Sequence, residues 1–175
     1  MSVFTELDDV RVDLDMILTD VLSSILDEEA IATESELPSG PLAVARLAIH
    51  DEPGDCYAIV EFKAGVTLAR VIAARMLSVA SPQSDDVFDA IAELGNMAGG
   101  NVKTLLCLHA RMSLPSSAIT DPDEFPGPPA PNERGACVRA IVLGQVAQLE
   151  VLPGAAIDGL IWPPYTPDEI PERST

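Results

Sequence analysis

A chain of 175 residues that is 47% hydrophobic but only 4% aromatic can bury one domain's core, and that core must be aliphatic. Its net charge of −18 argues against sequence-independent nucleic-acid binding, because phosphates need Lys and Arg to displace their counterions, and against docking on an anionic membrane. No stretch approaches the ~20 apolar residues of a membrane span, and Met1 to Asp9 shows no basic segment leading into an apolar run, so a cytoplasmic location is expected.

Leu14, Ile17, Leu18, Val21, Leu22 and Ile25 recur at helical spacing, with Asp13, Asp20 and Asp27 on another face, which predicts a helix over 10–29. Pro38, Ser39 and Gly40 punctuate the chain. Leu42 to His50 and Cys56 to Phe62 then read as two strands joined by the turn Asp51 to Asp55. Thr67 can cap a helix running to about Met76. After Pro82 a longer helix begins near Ser84, with Asp85 and Asp86 in its first turn, where carboxylates suit the helix dipole.

Met112 to Ile119 reads as a strand, and residues 121–132 as an acidic, Pro-rich loop that cannot hold a ladder. Ala136 to Leu143 and Gln145 to Leu152 form a hairpin turning at Gly144, both arms rich in Val, Ile and Leu. From Pro153 onward prolines alternate with acids, with Leu160, Ile161 and Trp162 as the one apolar cluster. The expected organisation is a single domain over 1–152 and an acidic Pro-rich tail over 153–175 with little regular structure. Helices and antiparallel hairpins in this order predict an α+β fold, its helices packed on one face of an antiparallel sheet.

Cys56, Cys107 and Cys137, odd in number and in apolar surroundings, read as buried reduced thiols. His50 and His109 lack the paired spacing of a zinc site, so no metal and no cofactor is expected in this chain.

The long helix carries the chemistry. At 100° per residue Asp89, Glu93 and Asn96 fall within about 60° of one another, while Val87, Ile91, Leu94, Ala98, Val102 and Leu105 fall on the opposite, core-facing side. Gly100 lies close to the polar stripe, where it holds nothing away from the backbone. A mid-helix Gly costs about 1 kcal/mol relative to Ala, so Gly99 and Gly100 should serve packing or access. By geometry alone such a row is more often a solvated helix face than a site, and Lys103 reads more readily as an ordinary helix-end residue than as a partner contact.

The segment Glu93-Leu-Gly-Asn96-Met-Ala-Gly-Gly100 resembles the signature helix of the CheC/CheX/FliY family of chemotaxis phosphatases. That motif is Asp or Ser, three residues, Glu, two residues, Asn, with a Pro downstream; this chain supplies Asp89, Glu93, Asn96 and, nearer than usual, Pro115. The resemblance runs from about Val10 to Leu152 and is closest to CheX, since CheC-type chains carry two such motifs and this chain has one.

The resemblance implies a phosphatase that hydrolyses the aspartyl phosphate of a CheY-like receiver domain. Asn96 and Glu93 would be its catalytic pair, Asn96 holding the attacking water and Glu93 docking against the receiver's Lys. Asp89, Gly100 and Lys103 would be partner-binding, and the Mg²⁺ ion would belong to the receiver's own pocket. It also implies a homodimer pairing edge strands into a continuous sheet. The alternative is a binding module that kept the fold and docks a receiver or other signalling partner without turnover.

Overall fold

The structure is a computed structural model and describes residues 10–50, 56–106, 110–121 and 135–153, with the backbone alone at 56–57. The elements in chain order are α1 (Arg11–Leu26), β1 (Ile31–Ala32), β2 (Leu42–His50), β3 (Cys56–Gly65), α2 (Val66–Leu77), α3 (Ser84–Leu106), β4 (Arg111–Met112), β5 (Ser116–Thr120), β6 (Ala136–Val142) and β7 (Gln145–Pro153). The strands form one antiparallel sheet in the order β1-β6-β7-β3-β2, with β4 and β5 following each other along the outer side of β2.

Alternation along the strands decides which face is covered. Ala43, Ala45, Leu47 and Ile49 of β2, Val60 and Phe62 of β3, Leu149 and Val151 of β7, and Val138 and Ala140 of β6 meet the three helices in one core. α1 contributes Leu14, Leu18, Val21, Leu22 and Leu26, and α2 contributes Leu68 and Ile72. This is the α+β arrangement expected, with all three helices on one face of an antiparallel sheet and an aliphatic core in which Phe62 is the largest fully buried side chain.

Several boundaries differ from expectation, each for a local reason. α1 stops at Leu26 rather than 29 because Asp27 adopts a left-handed conformation (φ 55°) and its N–H donates to Ser23 O at 3.0 Å. The chain then folds back as β1, an unexpected strand, tethered by Ala30 N–H to Ser23 Oγ and Thr33 N–H to Arg139 O. Gly65, not Thr67, occupies the position before α2, which starts at Val66 because β3 runs three residues beyond Phe62. The β6–β7 hairpin turns as expected, Leu143 (φ 52°) and Gly144 (φ 72°) forming a two-residue loop with both residues at positive φ.

The strand expected over 112–119 is broken. Ser113 N–H donates to Ala48 O at 2.9 Å, and Ser116 lies opposite Arg46. Leu114 and Pro115 therefore both fall opposite the single residue Leu47, a bulge in the outermost strand. Pro115 has no N–H to give to the ladder, which is why the pairing fails there.

The sheet face turned away from the helices holds a charged ladder that the sequence does not announce. Glu61 is 1% exposed and is paired by Arg46, its direct cross-strand neighbour. Lys63 Nζ lies 2.7 Å from both Glu61 Oε2 and Glu150 Oε2, bridging two carboxylates that stand directly opposite each other. Gln148 donates to Glu150 at 3.3 Å and accepts from Arg139 Nε at 2.9 Å. Cys137, expected buried, is only half-buried on this same face; burial pushes its thiol pKa up, and Glu150 opposite adds to the rise. Cys107, His109, the turn 51–55, most of the loop 121–132 and the tail from 154 lie outside the described residues, as does the side chain of Cys56.

Candidate functional site

α3 is fixed at its start and along one face. At its start Asp86 Oδ2 accepts from Gln83 N–H at 2.7 Å while Gln83 O accepts from Val87 N–H at 3.1 Å, so a first-turn carboxylate satisfies the N-cap backbone. Along its length Val87, Ile91, Leu94, Ala98 and Val102 are buried, as the spacing predicts, and Leu105 packs at the margin of the core.

The glycines differ in what they make room for. A methyl group at Gly95 would stand 2.6 Å from Ala45 Cβ, and one at Gly99 would stand 2.5 Å from Leu47 Cδ2, so these two residues let α3 settle onto β2. Nothing lies within 4 Å of a methyl at Gly100, which keeps open space on the solvent side. The expectation that Gly99 and Gly100 serve packing or access thus resolves into packing at 99 and access at 100. Gly95 was missed, although its four-residue spacing from Gly99 was available in the sequence as a close-packing signal.

The structure places the predicted residues on one solvent-facing stripe. Asp89 and Glu93 are exposed, and Asn96, Gly100 and Lys103 are half-exposed. Among the described residues no side-chain hydrogen bond or ion pair engages Asp89, Glu93, Asn96 or Lys103. Glu93, Asn96 and Gly100 span eight residues, about 10 Å of helix, a length one partner surface covers. Lys103 stands about 10 Å beyond Asn96, at the far end of the stripe. Met97, between these positions, is 36% exposed.

Such a row presents a carboxylate, then a carboxamide that can both donate and accept without adding charge. Among the described residues no three His, Cys, Asp or Glu side chains converge as a metal site, and no helix is long and apolar enough to cross a membrane.

Comparison with known proteins gives this geometry a context. The family model described as chemotaxis phosphatase CheX matches residues 53–123, a span that contains all of α3 and the β4–β5 bulge. A CheX chemotaxis protein from Desulfovibrio desulfuricans superposes with a TM-score of 0.64 at 15% identity, over 82% of this chain and 99% of that one. The fold is that of the CheC/CheX/FliY family.

Two further relatives of the CheX-like domain widen the likeness. Thermotoga maritima FliY matches with a TM-score of 0.55 at 18% identity, over 85% of this chain and 89% of that one. CheX from Borrelia burgdorferi, solved as a CheX-CheY-BeF3-Mg complex, matches with a TM-score of 0.54 at 12% identity, over 83% and 96%. No curated protein matches the sequence.

Proposed function

We propose that this CheX-like chain is a phosphatase for the aspartyl phosphate of a CheY-like receiver domain, docking through the exposed stripe of α3. The observation that carries the reading is that Asp89, Glu93 and Asn96 share an outward stripe beside the open space at Gly100, with no side-chain partner among the described residues, inside the segment that matches the CheX family model. The Borrelia relative's complex with CheY supports the choice of partner.

An aspartyl phosphate is an activated acyl phosphate, so its hydrolysis needs a water held in line with the breaking bond and little else. Asn96 suits that role because its carboxamide accepts from and donates to the water without repelling the phosphoryl oxygens. Glu93, one turn earlier, forms a charge-assisted contact with the receiver's Lys and sets the register of the two surfaces. Asp89 and Lys103 extend the contact along the helix, and Gly100 leaves room for the partner's backbone. Mg²⁺ belongs to the receiver.

The chain would act as a homodimer through a sheet edge. The β4–β5 edge is bulged and carries Pro115, features that resist strand addition. The β1 edge is flanked by exposed Val12, Met16 and Ile31 and is the better candidate.

Phosphate release from phosphorylated receivers, with and without the chain, tests the reading. Acceleration that disappears in Asn96→Ala supports it; a receiver bound with no acceleration favours the non-catalytic docking module.

A further inference from the structure

A short row of polar side chains makes a weak interface. An exposed ion pair is worth only about 0–1 kcal/mol, whereas burying one exposed Leu side chain contributes about 1.5–3 kcal/mol. Beside the acids of α3 the partner therefore needs an apolar contact, and the sheet edge offers one.

Leu114 is 91% exposed, the most exposed large apolar side chain among the described residues. Its place follows from the bulge. Leu114 and Pro115 lie opposite Leu47, since Ser113 bonds to Ala48 and Ser116 pairs with Arg46. Leu47 is also the residue on which Gly99 of α3 rests. The bulge thus stands level with the contact between Leu47 and Gly99, one residue from the open space at Gly100.

The flanks of α3 settle the side. α1 packs over β6, α1 and α2 both pack against α3, and α3 itself lies over β2 and β3 and reaches β5 and β4 beyond them. Asn96 lies about 60° round the helix from Gly99, the residue that meets Leu47, so it stands on the flank of α3 next to the strand that carries the bulge.

Resting on the function proposed above, we infer that Leu114 is a specificity-determining contact for the receiver, an apolar anchor beside Asn96 and Gly100 that inserts against an apolar patch next to the receiver's phosphorylation pocket. The bulge re-aims this side chain out of the ladder, a use bulges have beside functional sites. The occupant is a receiver rather than a second copy of the chain, because Leu114 borders the stripe whose exposed Asp89 and Glu93 need a cationic partner, and this chain has only 10 Lys and Arg against 28 acids.

The test uses full-length protein and a CheY-like receiver that the wild type dephosphorylates, with the same receiver loaded with beryllofluoride and Mg²⁺ for affinity. Leu114→Asp should raise KM and Kd about tenfold and Leu114→Ala about threefold, with kcat and melting temperature unchanged. Leu143→Asp, an equal charge change at the distant β6–β7 turn, should alter neither. Wild-type affinity in both Leu114 variants, a fall in kcat at constant KM, or a lowered melting temperature would overturn the inference while leaving the Asn96 chemistry standing. So would loss of a homodimer without loss of receiver affinity. Failure of the wild type to bind or act on any receiver would overturn the function and this inference together.

Discussion

At the scale of single residues, the division of labour on α3 is a division between positioning and docking. Asn96→Ala removes the carboxamide but no charge, so receiver affinity should stay within about twofold while accelerated dephosphorylation falls at least a hundredfold, the loss typical of a missing transition-state hydrogen bond. Stopped-flow phosphate release checks the rate and titration with a beryllofluoride-loaded receiver checks the affinity. Glu93 behaves in the opposite sense. Glu93→Ala should weaken the complex by about tenfold and Glu93→Lys by more, because the receiver's Lys first loses its counter-ion and then meets a like charge. Unchanged affinity in both would remove Glu93 from the interface.

At the scale of the element, the three glycines of α3 predict an ordered series. Gly→Ala in a helix interior gains about 1 kcal/mol in propensity, and overpacking costs about 1–3 kcal/mol where the new methyl has no room. At Gly95 the obstacle is the Cβ of Ala45, which cannot move without its backbone; at Gly99 it is the far end of Leu47, which can shift its χ angles. At Gly100 there is no obstacle. Denaturant midpoints should therefore fall most for Gly95→Ala, less for Gly99→Ala, and rise for Gly100→Ala, with receiver affinity lost only in the last. A uniform gain across the series would show that α3 does not press on β2 as described.

At the scale of the whole molecule, the charged ladder on the sheet face turned away from the helices ties four strands together. Lys63 is caught between opposing effects: burial works to lower its pKa, but Glu61 and Glu150 prevail and raise it above 10.5. A raised folded-state pKa means the contribution is fully present below the unfolded value, about 10.4, and is lost as pH rises through the folded one. Lys63→Met should cost about 3 kcal/mol, since it leaves two facing carboxylates without their bridge. That corresponds to roughly 6–12 °C in melting temperature. The gap between wild type and variant should hold constant from pH 7 to about 10 and close above it. Self-association belongs to this scale too: Met16→Lys with Ile31→Lys should shift a homodimer to monomer in sedimentation, whereas a β4–β5 interface would leave it intact.

Local periodicity and chain punctuation determined much of this protein by themselves. The aliphatic helices, the two hairpins, the α+β class and the outward row of Asp89, Glu93 and Asn96 follow from spacing, because a helix or strand projects side chains by fixed rotation wherever it sits. What depended on pairing between distant segments was not legible. Glu61 reads as an ordinary strand acid until β2 and β7 bring Arg46 and Glu150 beside it. Leu114 and Pro115 read as part of a strand until the register against β2 leaves two residues facing one. Gly95 reads as a weak point in a helix until Ala45 is placed beneath it. In each case the deciding neighbour lies tens of residues away in the chain, and only the register of the sheet and the seat of α3 on β2 bring it into contact.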